Sequence, residues 1–199
     1  MPASRVKTQA VEVSVDIAAR PATVWRCLVE ADLLSRWLRA TATLEPRVGG
    51  AVRFDFPGLA GEHYVIEGVV EELRANQALV FTWGVSVGPQ HENIPVGSTR
   101  VRIRLAETAA GTRVTLRHED LPDEKERQAH ATGWTALMGA LSGLAPAVAI
   151  SGGLEALWDA WFAAWGETDT AKREALLKRC FAEDGGFRDV HIAGHGRAW

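Results

Sequence analysis

Apolar and polar residues alternate from Val11 to Ile17, with Val11, Val13, Val15 and Ile17 on one face and Glu12, Ser14 and Asp16 on the other. This period of two predicts a half-buried strand. Pro21 then opens a helix with an apolar wedge of Val24, Trp25, Leu28 and Val29, and a second short helical piece carries Leu33, Leu34 and Trp37. The period of two returns afterwards. Strands are expected at about Thr41 to Glu45, Ala51 to Phe56, His63 to Leu73, Ala78 to Trp83, Thr99 to Glu107 and Thr112 to Glu119, with Gly-containing breaks between several of them. One face of the resulting sheet collects Val52, Phe54, Phe56, Phe81, Trp83, Val101, Ile103 and Leu105, as a covering helix requires. The opposite face carries Arg100, Arg102, Arg104, Arg113 and Arg117 together with Glu12, Asp16, Glu67 and Glu71. Cross-strand ion pairs on a solvated face account for that set.

The stretch Val114 to Leu144 is the most informative. His118 shares the strand face of Val114 and Leu116, while Thr115 and Arg117 face the other way. Asp123-Glu124-Lys125-Glu126 is a capping-box start for a helix. Along that helix His130, Trp134, Leu137, Leu141 and Leu144 fall at spacings of four, three, four and three, one face of a 3.6-residue period. Two histidines and a tryptophan thus lie on surfaces that should oppose each other, which describes a pocket more than a solid core.

The tail differs in kind. Residues 145–153, Ala-Pro-Ala-Val-Ala-Ile-Ser-Gly-Gly, read as a helix-breaking linker. Beyond it Leu154, Leu157, Trp158, Trp161, Phe162 and Trp165 form an aromatic-heavy helical face, and Thr168-Asp169 precedes a second helix with Leu176, Leu177, Cys180 and Phe181. The expected organisation is a domain over 1–147, a linker over 148–153 and a helical appendage over 154–199. A tryptophan stripe of this size is expected to dock on domain one or on a second copy of the chain, with a homodimer through Trp158, Trp161 and Trp165 favoured.

At 199 residues, 47% hydrophobic and 24% charged, the chain has the composition of a globular protein, and a formal net charge of -3 gives no electrostatic case for nucleic acid or anionic membrane as partner. No apolar h-region opens the chain, and no run approaching the roughly 20 apolar residues of a membrane span is expected, so the location is read as cytoplasmic. Cys27 and Cys180 lie in separate helical patterns and are read as reduced structural thiols.

Most apparent motifs carry no chemistry. Gly84-Val85-Ser86-Val87-Gly88 matches G-x-S-x-G but lacks the following helix that a nucleophile elbow needs. Asp189, His191 and His195 have the residue types of metal ligands without the spacing of a known zinc site, and His63 and His91 sit at strand or loop edges. No metal and no cofactor is expected. His118 and His130 remain: either they complete the core as neutral, hydrogen-bonded rings, or they orient a polar group of a ligand or act as an acid/base pair. The candidate ligand-binding residues are Trp37, Phe54, Phe81, Trp83, His118, His130 and Trp134, and the candidate catalytic residues are His118 and His130.

The order β-α-α-β-β-β-β-β-β-α, with Pro21-Ala22-Thr23-Val24-Trp25, Leu34-Ser35-Arg36-Trp37, Glu45-Pro46-Arg47-Val48-Gly49-Gly50, Phe81-Thr82-Trp83 and His130-Ala131-Thr132-Gly133-Trp134, resembles the SRPBCC superfamily from about residue 9 to 146. Within it, the pattern is similar to the branch of the C-terminal domain of the heat-shock-chaperone ATPase activator. The resemblance implies an α+β helix-grip fold, an antiparallel sheet wrapped around a long C-terminal helix, with a cavity for a small apolar or amphipathic molecule. Its members include lipid carriers and polyketide aromatase/cyclases. The expected function is binding of a small hydrophobic molecule; the alternatives are an aromatase/cyclase- or hydrolase-like enzyme using His118 or His130, and a chaperone-linked interaction module. In the tail, Trp161-Phe162-Ala163-Ala164-Trp165, Thr168-Asp169, Arg173 and Phe187-Arg188-Asp189 resemble the opening of a SnoaL-like domain, without the strands such a domain needs.

Overall fold

The computed structural model describes residues 10–57, 63–88, 92–180, 186–188 and 193–195. The chain divides into two units, Met1–Ala147 and Val148–Trp199.

In the first unit, β1 (Val11–Ile17), α1 (Pro21–Val29) and α2 (Ala31–Leu38) are followed by β2 (Thr41–Leu44), β3 (Ala51–Pro57), β4 (His63–Arg74), β5 (Ala78–Val87), β6 (Thr99–Thr108) and β7 (Gly111–Glu119). The strands form one antiparallel sheet in the order β1-β7-β6-β5-β4-β3-β2. Hairpin connections produce this meander directly; β1 joins the far edge because α1 and α2 lie between it and β2. Register shifts between Val65 and Ile66 and between Val70 and Glu72 place bulges in β4, which bend a sheet around whatever packs on its concave face. That element is the start of α3 (Glu124–Gly166), of which Trp134, Met138, Leu141 and Ala145 are buried. The buried stripe is therefore rotated from the expected one: Leu137 and Leu144 are only half-buried, and the slender Met138 and small Ala145 take the innermost positions.

Alternation fixes both sheet faces. Val52, Phe54, Phe81, Trp83, Val101, Ile103, Val114 and Leu116 are buried, while Phe56 and Leu105 are half-buried. On the outer face Arg100 pairs with Glu71, Arg113 with Asp16 at 2.7 Å, Arg117 with Glu12 at 3.4 Å, Arg102 with Glu119 at 2.8 Å and Arg53 with Glu67. Of the expected set, Arg100, Arg102, Arg113 and Arg117 thus pair with carboxylates as the sequence pattern predicts, while Arg104 is exposed with no ion pair among the described residues. α2 closes against the core through Trp37, whose indole N–H donates to the Cys27 carbonyl at 2.8 Å. Burial pushes the Cys27 thiol up to about 11, so it stays protonated.

Two expectations are corrected. Residues 148–153 do not break the helix: α3 includes them along with Pro146, and an alanine-rich sequence offsets the roughly 1 kcal/mol that each interior glycine costs. By length and composition alone α3 is also long and apolar enough to cross a membrane, with an 18-residue stretch of mean hydropathy 1.6. Its alanines raise mean hydropathy without forming a run of large apolar residues.

In the second unit, α4 (Thr170–Cys180) is capped by Asp169, whose Oδ1 accepts the Lys172 N–H at 2.9 Å. Trp158 stacks on Phe162 at 5.8 Å and Trp161 meets Trp165 edge-on at 5.4 Å; Trp158, Phe162 and Trp165 are exposed and Trp161 is half-buried. A short pair, β8 (Gly186–Arg188) and β9 (Ala193–His195), follows, so the appendage is not purely helical. His195 lies in β9; Asp189, His191, His91 and Phe181 lie outside the described residues.

Candidate functional site

The first turn of α3 sets the site. Asp123 is its N-cap, with Oδ1 accepting the Glu126 N–H at 2.9 Å, but the Glu126 side chain does not fold back to complete the box. It is buried instead, and its Oε1 accepts from Asn93 Nδ2 at 3.0 Å. Asn93 reaches it because the chain after β5 folds back over that strand: the Val85 N–H donates to the Ile94 carbonyl at 2.8 Å, and Ile94 is fully buried. Gly84 makes this possible, since a Cβ there would lie 2.1 Å from the Pro95 carbonyl oxygen. The G-x-S-x-G motif has this packing reason and no nucleophile: Ser86 lies inside β5 and its hydroxyl donates to the Val65 carbonyl at 3.3 Å.

His118 is fully buried on β7 and both its ring nitrogens are engaged. Trp134 donates its indole N–H to Nδ1 at 3.1 Å, Nε2 lies 2.9 Å from Thr99 Oγ1, and the Thr99 hydroxyl donates to the Trp83 carbonyl at 2.9 Å. The donors at either end leave one consistent assignment, with the proton of His118 on Nε2. Burial first, and then the neighbouring His130, push its pKa down to about 3. A neutral ring with both nitrogens occupied is no acid/base group, so the expectation of His118 as a proton carrier is corrected: it positions Trp134 and Trp83.

His130 meets His118 edge-on, with ring centroids 4.8 Å apart. Its Nδ1 donates to the Glu126 backbone carbonyl at 2.8 Å and lies 3.7 Å from Glu126 Oε2, which leaves Nε2 carrying the lone pair of the neutral ring.

These residues border a cavity of about 290 Å³ whose walls include Phe56, Tyr64, Trp83, Glu126, His130 and Trp134, with Gly133 and Leu137 on the helix side. Trp83 and Trp134 stand 5.2 Å apart and Phe56 and Tyr64 6.0 Å apart. The Trp83 indole N–H is buried without a hydrogen-bond partner. Burial and then the negative charge of Glu126 push the Tyr64 hydroxyl up to about 12, so it remains a donor.

Of the residues expected to bind a ligand, Trp83, His130 and Trp134 border the cavity and His118 hydrogen-bonds to one of its walls. Trp37, Phe54 and Phe81 do not border it: with Leu28 and Ile103 they surround a residual void of only about 10 Å³, and Phe54 packs edge-on against Phe81 at 5.9 Å. They are core because α2 fills that end of the sheet. Glu126, Asn93, Thr99 and Gly133 escape a reading by periodicity. A glycine inside an apolar helix beside a tryptophan was the available signal for Gly133. Among the described residues no cluster of His, Cys, Asp and Glu could hold a metal ion.

A curled antiparallel sheet gripping a long helix, with an aromatic cavity between them, defines a helix-grip protein of the SRPBCC superfamily. The chain belongs to the family described as Activator of Hsp90 ATPase homolog 1-like protein, whose sequence profile matches residues 18–145. No curated protein matches it by sequence. Among solved structures it is similar to protein MLL2253 from Mesorhizobium loti (24% identity, 68% of this chain and 96% of that one, TM-score 0.58). It is likewise similar to CV1439 from Chromobacterium violaceum (21% identity, 68% and 96%, TM-score 0.59). DynU16, a putative protein in the dynemicin biosynthetic locus, shares the fold at 21% identity over 67% of this chain and 45% of that one, with a TM-score of 0.55.

Proposed function

We propose that the protein binds a small apolar or amphipathic molecule in the cavity between the sheet and α3. The observation that carries this reading is a cavity of about 290 Å³ walled by Phe56, Tyr64, Trp83 and Trp134, together with a Trp83 indole N–H that is buried without a hydrogen-bond partner among the described residues. A buried donor without an acceptor costs about 1–3 kcal/mol, and an acceptor oxygen on a ligand would recover it. Aromatic walls with a few convergent polar groups are the usual make-up of such sites. Titration with the neutral probe N-phenyl-1-naphthylamine tests it: one saturable site with quenching of tryptophan emission is expected, and a linear, non-saturating response would refute it.

A second reading, an enzyme using His130 as general base, is favoured by one observation: Nδ1 is held by the Glu126 carbonyl, which leaves Nε2 free to take a proton. Hydrolysis of p-nitrophenyl esters that is lost in His130→Phe and kept in His118→Gln would support it. Equal rates in all three proteins would remove it.

A further inference from the structure

The charge of the cavity wall is one-sided. Among the described residues that border the cavity, Glu126 is the single formal charge, and no lysine or arginine joins it. The residue is only 6% exposed, and among the described residues its side chain meets the Asn93 amide at 3.0 Å and His130 Nδ1 at 3.7 Å, whose proton is given to the backbone carbonyl, with no lysine or arginine paired to it. A buried carboxylate without a cation is expensive, and its place in the first turn of α3, where the helix dipole is positive, offsets only part of that. Its charge is felt in the cavity, where it helps to hold the Tyr64 proton in place. The aromatic rings of Phe56, Tyr64, Trp83 and Trp134 line the same cavity. Several aromatic rings gathered beside a buried carboxylate that no described lysine or arginine pairs with are the arrangement that attracts organic cations, since each ring face presents negative potential and a diffuse cation sheds water readily.

Resting on the reading that this cavity binds a small molecule, we propose that its ligand is an organic cation, a quaternary or alkylated ammonium group held against Glu126 and the aromatic walls. The ligand also carries an acceptor oxygen for the Trp83 N–H. The cation supplies the countercharge that no described lysine or arginine gives Glu126, and the oxygen supplies the partner that Trp83 lacks among the described residues; a neutral hydrocarbon supplies neither.

Acetylcholine and 3,3-dimethylbutyl acetate, used as probes, test this, because they share shape and ester oxygen and differ in the charge of one atom. Calorimetric titration of the full chain at fixed ionic strength should give affinity for acetylcholine about tenfold higher, the scale of one desolvated charge contact. Glu126→Gln, which keeps the volume and an acceptor for Asn93, should bring the ratio of the two affinities to about one. Tyr64→Leu should narrow it without touching the carboxylate. Equal affinity for the two esters, or a preference that survives Glu126→Gln, overturns the proposal. Binding of N-phenyl-1-naphthylamine without any binding of acetylcholine also overturns it but leaves the cavity reading standing, and loss of all three ligands overturns both.

Discussion

Trp134 on α3 donates its indole N–H to Nδ1 of His118 on β7 at 3.1 Å, and this bond fixes both the tautomer of the histidine and the seat of the helix on the sheet. It heads a one-way chain through Thr99 to the Trp83 carbonyl, so helix, last strand and both tryptophans of the cavity wall share one buried polar network. Such networks specify geometry when every member is satisfied.

Acid should loosen the protein through His118. Its folded pKa, about 3, lies below the ordinary histidine value of 6.5, so between those values the unfolded chain binds more protons than the folded one. The stabilisation is complete above about pH 6.5 and is lost as pH falls towards 3, at up to about 1.4 kcal/mol per pH unit. Denaturant melts from pH 7.5 to 4 should show this slope. His118→Gln, which keeps an acceptor for Trp134 and a donor for Thr99, should be less stable at pH 7.5 and show a shallower slope; an unchanged slope would show that His118 is not the titrating group.

Thr99→Val should destabilise the fold by about 1–3 kcal/mol, because it strands the Nε2 proton of His118 in a buried site. Thr99→Ser, which keeps the hydroxyl, should recover most of that. Urea denaturation monitored by tryptophan emission makes the comparison, and equal losses in the two variants would assign the effect to packing alone.

Gly133 separates binding from stability. A Cβ at this position meets nothing within 4 Å, and the residue borders the cavity. Gly133→Ala should therefore raise stability by about 0.5–1 kcal/mol through helix propensity. Gly133→Leu should keep the fold while filling the space that a ligand would occupy. Its melting temperature should be at or above that of the parent and its probe affinity at least about tenfold lower; undiminished affinity would place the ligand elsewhere.

The outer arginines should matter little. Arg100→Gln breaks the pair with Glu71, whose carboxyl the guanidinium holds below its usual range, yet both side chains are about a third exposed. Partly exposed pairs of this kind contribute about 0–1 kcal/mol, and less at high salt. Melts at low and at 1 M salt should converge for Arg100→Gln and the parent.

Local pattern was enough for the sheet. Alternation in Val11–Ile17 and Val114–His118 assigned each residue to a face, and the structure keeps Val114, Leu116 and His118 inside and Arg117 paired outside, because side-chain direction in a strand depends only on parity. The start of α3 was equally legible, since a cap is built from neighbours a few residues apart. The continuation of α3 past Pro146 was not legible, because proline and glycine signal only a local penalty, and the surrounding helix outweighs it.

The site lay mostly beyond the reach of pattern. By itself the sequence determined that His130, Trp134 and His118 face inward and that Trp83 shares their side of the sheet, for these follow from periods of two and 3.6. Only the tertiary structure decided which inward residues meet empty space. Phe54 and Phe81 are as aromatic and as inward as Trp83, but α2 packs over them through Trp37, whereas Trp83 stands beside Gly133, where the helix presents no side chain. It also decided that Glu126, a capping-box carboxylate in sequence, turns inward to Asn93 from a loop more than thirty residues away. Such encounters depend on the register of distant segments and on the volume left between them, and neither quantity is carried by the spacing of residues along one element.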